Sequence, residues 1–133
     1  MPFDGADSPT FLALAKLTAT RELISDQRRW CKGSLINAAG QMCILGALQR
    51  ADAEDDLKPL ILVAAREVTG RTFRSIERFN DHDKTTHETV LEVLDRTRDG
   101  LVTGRYSVGS RPVPFARWRS LCRRFVAETL LKA

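Results

Sequence analysis

The 133-residue sequence predicts an all-α protein, an irregular orthogonal bundle of five or six helices. Apolar residues recur at three- and four-residue steps in one segment after another, the period of a helix with one buried face. Capping residues stand ahead of these segments, and Gly or Asn stands behind them. No internal repeat and no sustained heptad is present, so a solenoid and a coiled coil are both excluded. Hydrophobic residues make up 43% and charged residues 29%, with 8 Gly and 5 Pro, the composition of an ordinary globular chain of single-domain length.

Ser8 before Pro9 is a helix start, a hydroxyl cap followed by a Pro whose missing N–H costs nothing in the first turn. The first helix is expected over 9–27, burying Leu12, Ala15, Ala19 and Leu23, with Phe11 and Leu14 widening that face. Residues 30–39 carry Gly33, Ser34 and Asn37 and read as a loop. A second helix is expected over 41–50. Gly46 in its interior costs about 1 kcal/mol of propensity relative to Ala, so a close approach by a neighbouring helix or a ligand is expected there.

The acidic stretch 52–56 reads as a connection into a third helix over 57–69, with Pro59 in its first turn and Gly70 as its stop. Its apolar residues are too many for a narrow stripe, so it is expected to be the most buried helix. Thr72 is expected to cap a fourth helix carrying Phe73, Ile76 and Phe79, with Asn80 ending it. Thr85-Thr86-His87-Glu88 is a capping-box pattern opening a fifth helix to Arg98, with Val90, Leu91 and Leu94 inward and Asp99-Gly100 closing it. Residues 101–114 read as a linker. The last segment, 115–132, reads as an amphipathic helix with Phe115, Trp118, Leu121, Cys122 and Phe125 on one face. The expected division is a helical core over 1–100 and a basic linker and helix over 101–133, packed on the core.

Trp30, then Cys43-Ile44-Leu45-Gly46-Ala47-Leu48, then Phe79-Asn80-Asp81 followed by Thr86 and Val90, together resemble a family of small uncharacterised bacterial and phage proteins. Its pattern is a Trp after the first helix, a Cys-x-x-Gly-Ala helix and an aromatic–Asn–Asp turn before a last helix. The resemblance covers roughly residues 10–98 and implies a helical fold and no reaction. His82 and His87 are not part of its pattern, and 101–133 lies beyond it. Trp30, Cys43, Gly46, Asn80 and Asp81 are therefore expected to build internal architecture.

Two stretches bear on function. Asp81-His82-Asp83, with His87 five residues after His82, has spacing that a two-His, carboxylate metal site uses. A small metal-assisted hydrolase carried by Asp81, His82, Asp83 and His87 is the alternative reading. The simpler one makes Asp81 an acceptor of hydrogen bonds within the turn and His87 an exposed first-turn residue. Cys31 and Cys43 are twelve apart, too far for a zinc knuckle, and no metal or cofactor is expected. Trp30-Cys31-Lys32-Gly33 sets a thiol beside a lysine, which favours a thiolate.

The second stretch is the C-terminal quarter. Residues 1–99 hold 14 Lys/Arg against 16 Asp/Glu, whereas 100–133 holds seven Lys/Arg against Glu128 alone. Arg105, Arg111, Arg117, Arg119, Arg123 and Arg124, interleaved with Tyr106 and Trp118, are the expected contacts for an anionic partner, a nucleic acid or an acidic protein. A non-enzymatic binding protein is the leading expectation, with no small-molecule ligand. The longest uncharged apolar run, 59–65, is far short of the about 20 residues a membrane span needs, so no membrane association is expected. Asp4 and Asp7 precede any basic residue, unlike a secretory leader, and a cytoplasmic protein is expected.

Overall fold

A computed structural model describes residues 9–108, and in them the chain is an all-α bundle. The elements are α1 (Pro9–Leu23), a short 3-10 turn (Gln27–Arg29), α2 (Ile44–Arg50), α3 (Glu54–Thr69), α4 (Ile76–Asp81) and α5 (His87–Val102). α3 and α5 form the most extensive pairing, α1 lies against α2 and α5, and α4 against α2 and α3. Leu17, Ile24, Ile44, Leu48, Leu57, Ile61, Ile76, Phe79, Val90 and Leu94 meet in one core. The expected helix 115–132 lies outside the described residues.

Several elements depart from their expected bounds, each for a physical reason. α1 buries Ala13, Leu17 and Thr20 and leaves Phe11 and Leu12 about half exposed, so the buried face is rotated from the expected one. Thr20 is tolerated inside because its hydroxyl donates to the Lys16 carbonyl at 2.8 Å. α1 stops at Leu23, and Asp26 then caps the 3-10 turn by accepting from the Arg28 N–H.

α2 begins at Ile44 because Cys43 is its cap: the thiol sulfur accepts from the Gly46 N–H. α2, not α3, is the most buried helix; residues 44–48 are all buried. α3 absorbs Glu54, Asp55 and Asp56 into its first turn, where carboxylates complement the positive end of the helix. Pro59 therefore sits past the first turn and leaves the Asp55 carbonyl without its helical donor.

The cap of α4 is Ser75 rather than Thr72, its hydroxyl accepting from the Arg78 N–H, and Phe73 precedes the helix. Thr86 rather than Thr85 caps α5 by accepting from the Thr89 N–H. Thr85 is buried, with no hydrogen-bond partner for its hydroxyl among the described residues. α5 runs through Asp99 and Gly100, because Gly100 is where the Tyr106 ring lies on the helix; a Cβ there would overlap the ring. Residues 103–106 fold back over α5 and bring Tyr106 into the core, so 101–108 does not behave as a linker.

Candidate functional site

The loop between Trp30 and Cys43 is shaped from within by Asn37. Its side-chain oxygen accepts from the Ala39 and Gln41 N–H groups, and its amide nitrogen donates to Gln41 Oε1. The loop mouth closes where Trp30 and Met42 run side by side, with Cys31 N–H donating to the Met42 carbonyl. The Leu35 carbonyl accepts from the Cys43 N–H and lies against Gly46, where a Cβ would overlap the oxygen. The close approach expected at Gly46 thus comes from loop backbone.

Asn80 pins this loop to the bundle. It is a fully buried residue inside α4, not a left-handed helix end. Its Oδ1 accepts from Trp30 Nε1 at 2.8 Å and from the Ile44 N–H at 3.1 Å. Its Nδ2 donates to the Cys31 carbonyl and to Asp81 Oδ1, both at 3.0 Å. All four of its hydrogen-bonding positions are used, the condition under which a buried amide is stabilising. Asp81 Oδ1 also accepts from the Gly33 N–H at 2.9 Å, so it ties the loop to α4 rather than holding the turn into α5.

His82 and His87 are held by different partners. His82 Nδ1 accepts from the Lys84 N–H, and its ring stands edge-on to Phe73 at 5.6 Å. His87 is half-buried, not exposed: Nε2 lies 2.7 Å from the Ile24 carbonyl, and the ring packs against Trp30 at 5.8 Å. Asp83 is exposed on the turn. Among the described residues no three His, Cys, Asp or Glu side chains group to hold a metal ion, so the four residues of the hydrolase reading are not brought together. Lys32 Nζ donates to the His82 carbonyl, and what acts on the Cys31 thiol is burial, with Cys43 and Asp81 adding to it. Burial pushes both the Cys31 and Cys43 thiols up, away from the thiolate.

A second polar cluster lies on α3. Glu67 receives Arg105 Nη2 at 2.7 Å, Arg96 Nε at 3.3 Å and the Tyr106 hydroxyl at 2.9 Å. Arg105, expected to face a partner, is thus engaged inside the protein. Burial and the Glu67 carboxylate raise the Tyr106 phenol well above its ordinary value. The sign follows: above about pH 10 an unfolded tyrosine ionises while the folded one keeps its proton, so stability falls as pH rises. Tyr106 is the chain's single tyrosine, so phenolate absorbance reports it alone. That absorbance is expected to rise only as the protein unfolds in alkali; titration near pH 10 in a still-helical protein would contradict the burial.

An open concavity lies between the end of α3 and α4. It is about 480 Å³ and lined by Arg71, Phe73, Arg74, Arg78, Asp81 and His82, with Thr72. Its geometry follows from the stop of α3. Gly70 takes a left-handed φ of 75°, and the Thr69 hydroxyl, donating to the Ala65 carbonyl, accepts from the Arg71 N–H. Phe73 is then held against Phe79 at 5.2 Å. Among the described residues the guanidiniums of Arg71, Arg74 and Arg78 have no carboxylate partner, whereas those of Arg21, Arg28, Arg96 and Arg105 do. Sequence reasoning passed over these three arginines because they straddle a loop and a helix in a near-neutral body. Arg111, Arg117, Arg119, Arg123 and Arg124 lie outside the described residues.

No curated protein and no solved structure matches this chain. A family model does, over residues 9–100, which runs from the first residue of α1 to the Gly100 that receives Tyr106. The chain belongs to that family, a family of unknown function, DUF6197.

Proposed function

We propose that the protein is a non-enzymatic, cytoplasmic binding protein of bacterial or phage origin. On this reading its helical body presents a basic C-terminal surface to a nucleic acid. The observation that carries this reading is the charge distribution: seven Lys/Arg against one acid in residues 100–133, after a body with a small acidic excess. An anionic partner is attracted to that end. With Arg105 bound to Glu67, the contacts fall to Arg111, Arg117, Arg119, Arg123 and Arg124. Trp30, Cys43, Gly46, Asn80 and Asp81 form the architectural set of this reading, and the Trp30–Asn80, Asn80–Asp81 and Gly46–Cys43 hydrogen bonds support that role.

Phosphate contacts release counterions, so binding should weaken steeply with salt. The wild-type chain is expected to retain an oligonucleotide in a low-salt gel shift. The change of Arg117, Arg119, Arg123 and Arg124 to Gln should lower the log–log salt slope by about 3. Retention of poly-glutamate in preference to the oligonucleotide would point to an acidic protein instead. Retention of neither polyanion would overturn the reading.

A further inference from the structure

We infer that the cleft between α3 and α4 is a second contact site for nucleic acid, one that takes a single strand, with phosphates on Arg71, Arg74 and Arg78 and a base against Phe73. The inference rests on the proposal that the partner is a nucleic acid, and adds a site within the helical body.

Arg74 and Arg78 are exposed, Arg71 is partly so, and none of the three guanidiniums has a carboxylate partner among the described residues. A guanidinium offers a planar fork of donors that matches a phosphate oxygen pair. Three of them line one concavity large enough for a nucleotide and its flanking phosphates. Asp81 carries the opposing charge there, and one of its oxygens already accepts from the Gly33 N–H and Asn80 Nδ2. It therefore directs phosphate toward the arginine side of the cleft.

The aromatic residues decide between a single strand and a duplex. Phe73 and His82 line the same cleft, and the part-exposed Phe73 ring is held by packing against Phe79 at 5.2 Å and His82 at 5.6 Å. A ring held this way is a platform for a base. A duplex has no free base face to offer, so a single strand exploits Phe73 and a duplex does not. A peptide of carboxylate side chains has no aromatic ring to stack there either.

The test is fluorescence anisotropy of the full chain with a short labelled oligouridylate at several salt concentrations. Arg71→Gln/Arg74→Gln/Arg78→Gln is expected to weaken binding at least about tenfold and to lower the salt slope by about 2. Phe73→Leu keeps an apolar group against Phe79; it is expected to weaken binding about tenfold at an unchanged salt slope. Thermal melts of both variants monitor the fold. Full competition by the same sequence as a duplex, or by poly-glutamate, would overturn the single-strand assignment. If the cleft variants keep wild-type affinity while Arg117→Gln/Arg119→Gln/Arg123→Gln/Arg124→Gln loses it, the cleft inference falls and the C-terminal proposal stands. If the wild-type chain binds no polyanion, both fall.

Discussion

Asn80→Ala is expected to destabilise the protein by about 3–4 kcal/mol, the larger part of what holds a marginal domain together. The truncation leaves Trp30 Nε1, the Ile44 N–H and the Cys31 carbonyl without the partner they share. The Ile44 N–H is the most costly of these, because it is at a buried helix start that no solvent reaches. In thermal melts the loss corresponds to a fall on the order of 15 °C. Asn80→Asp keeps the acceptor for Trp30 and Ile44 but replaces the donor with an oxygen facing the Cys31 carbonyl and the Asp81 carboxylate. It is expected to be nearly as damaging. A loss below about 1 kcal/mol in the alanine variant would mean that these groups find other partners.

Gly46→Ala is expected to destabilise by about 2–3 kcal/mol, opposite in sign to the gain of about 1 kcal/mol that alanine brings to an ordinary exposed helix position. The added methyl would overlap the Leu35 carbonyl, which is backbone and is itself held by the Cys43 N–H. Either α2 or the loop must move, and the loop is bound through Asn80 and Asp81 as well. Urea denaturation of this variant gives the sign directly.

The elements were legible in the sequence where propensity and burial agree. Gly70 as a stop, the hydroxyl cap ahead of α5 and the apolar period of α5 all stand within a residue or two of their expected places. The misplaced features share one cause, a tertiary partner that no local pattern encodes. The face of α1 that turns inward is set by its packing on α2 and α5, and Thr20 is tolerated there because its hydroxyl bonds back to the Lys16 carbonyl. Gly100 reads as a helix stop, but its missing side chain serves the Tyr106 ring. Asn80 reads as a terminator because Asn is common at helix ends, whereas its amide bonds to residues 50, 49 and 36 positions away and to its neighbour. The motif residues were visible as a set, but their joint task of fastening one loop to two helices required the fold. Of the candidate contacts for a partner, Arg105 was visible as charge, and its use by Glu67 was not.

Fastening of the 30–43 loop by Asn80 is most directly tested at the indole N–H of Trp30, through hydrogen exchange of the tryptophan side-chain signals in a nitrogen–proton correlation spectrum. The chain has two tryptophans, Trp30 and Trp118, and Trp30→Phe assigns the signal. The Trp30 indole proton, donated to Asn80 Oδ1 at 2.8 Å, is expected to exchange orders of magnitude more slowly than a free indole and to lose that protection in Asn80→Ala. Exchange at the free-indole rate in the wild-type protein would contradict the fastening and, with it, the role assigned to Asn80.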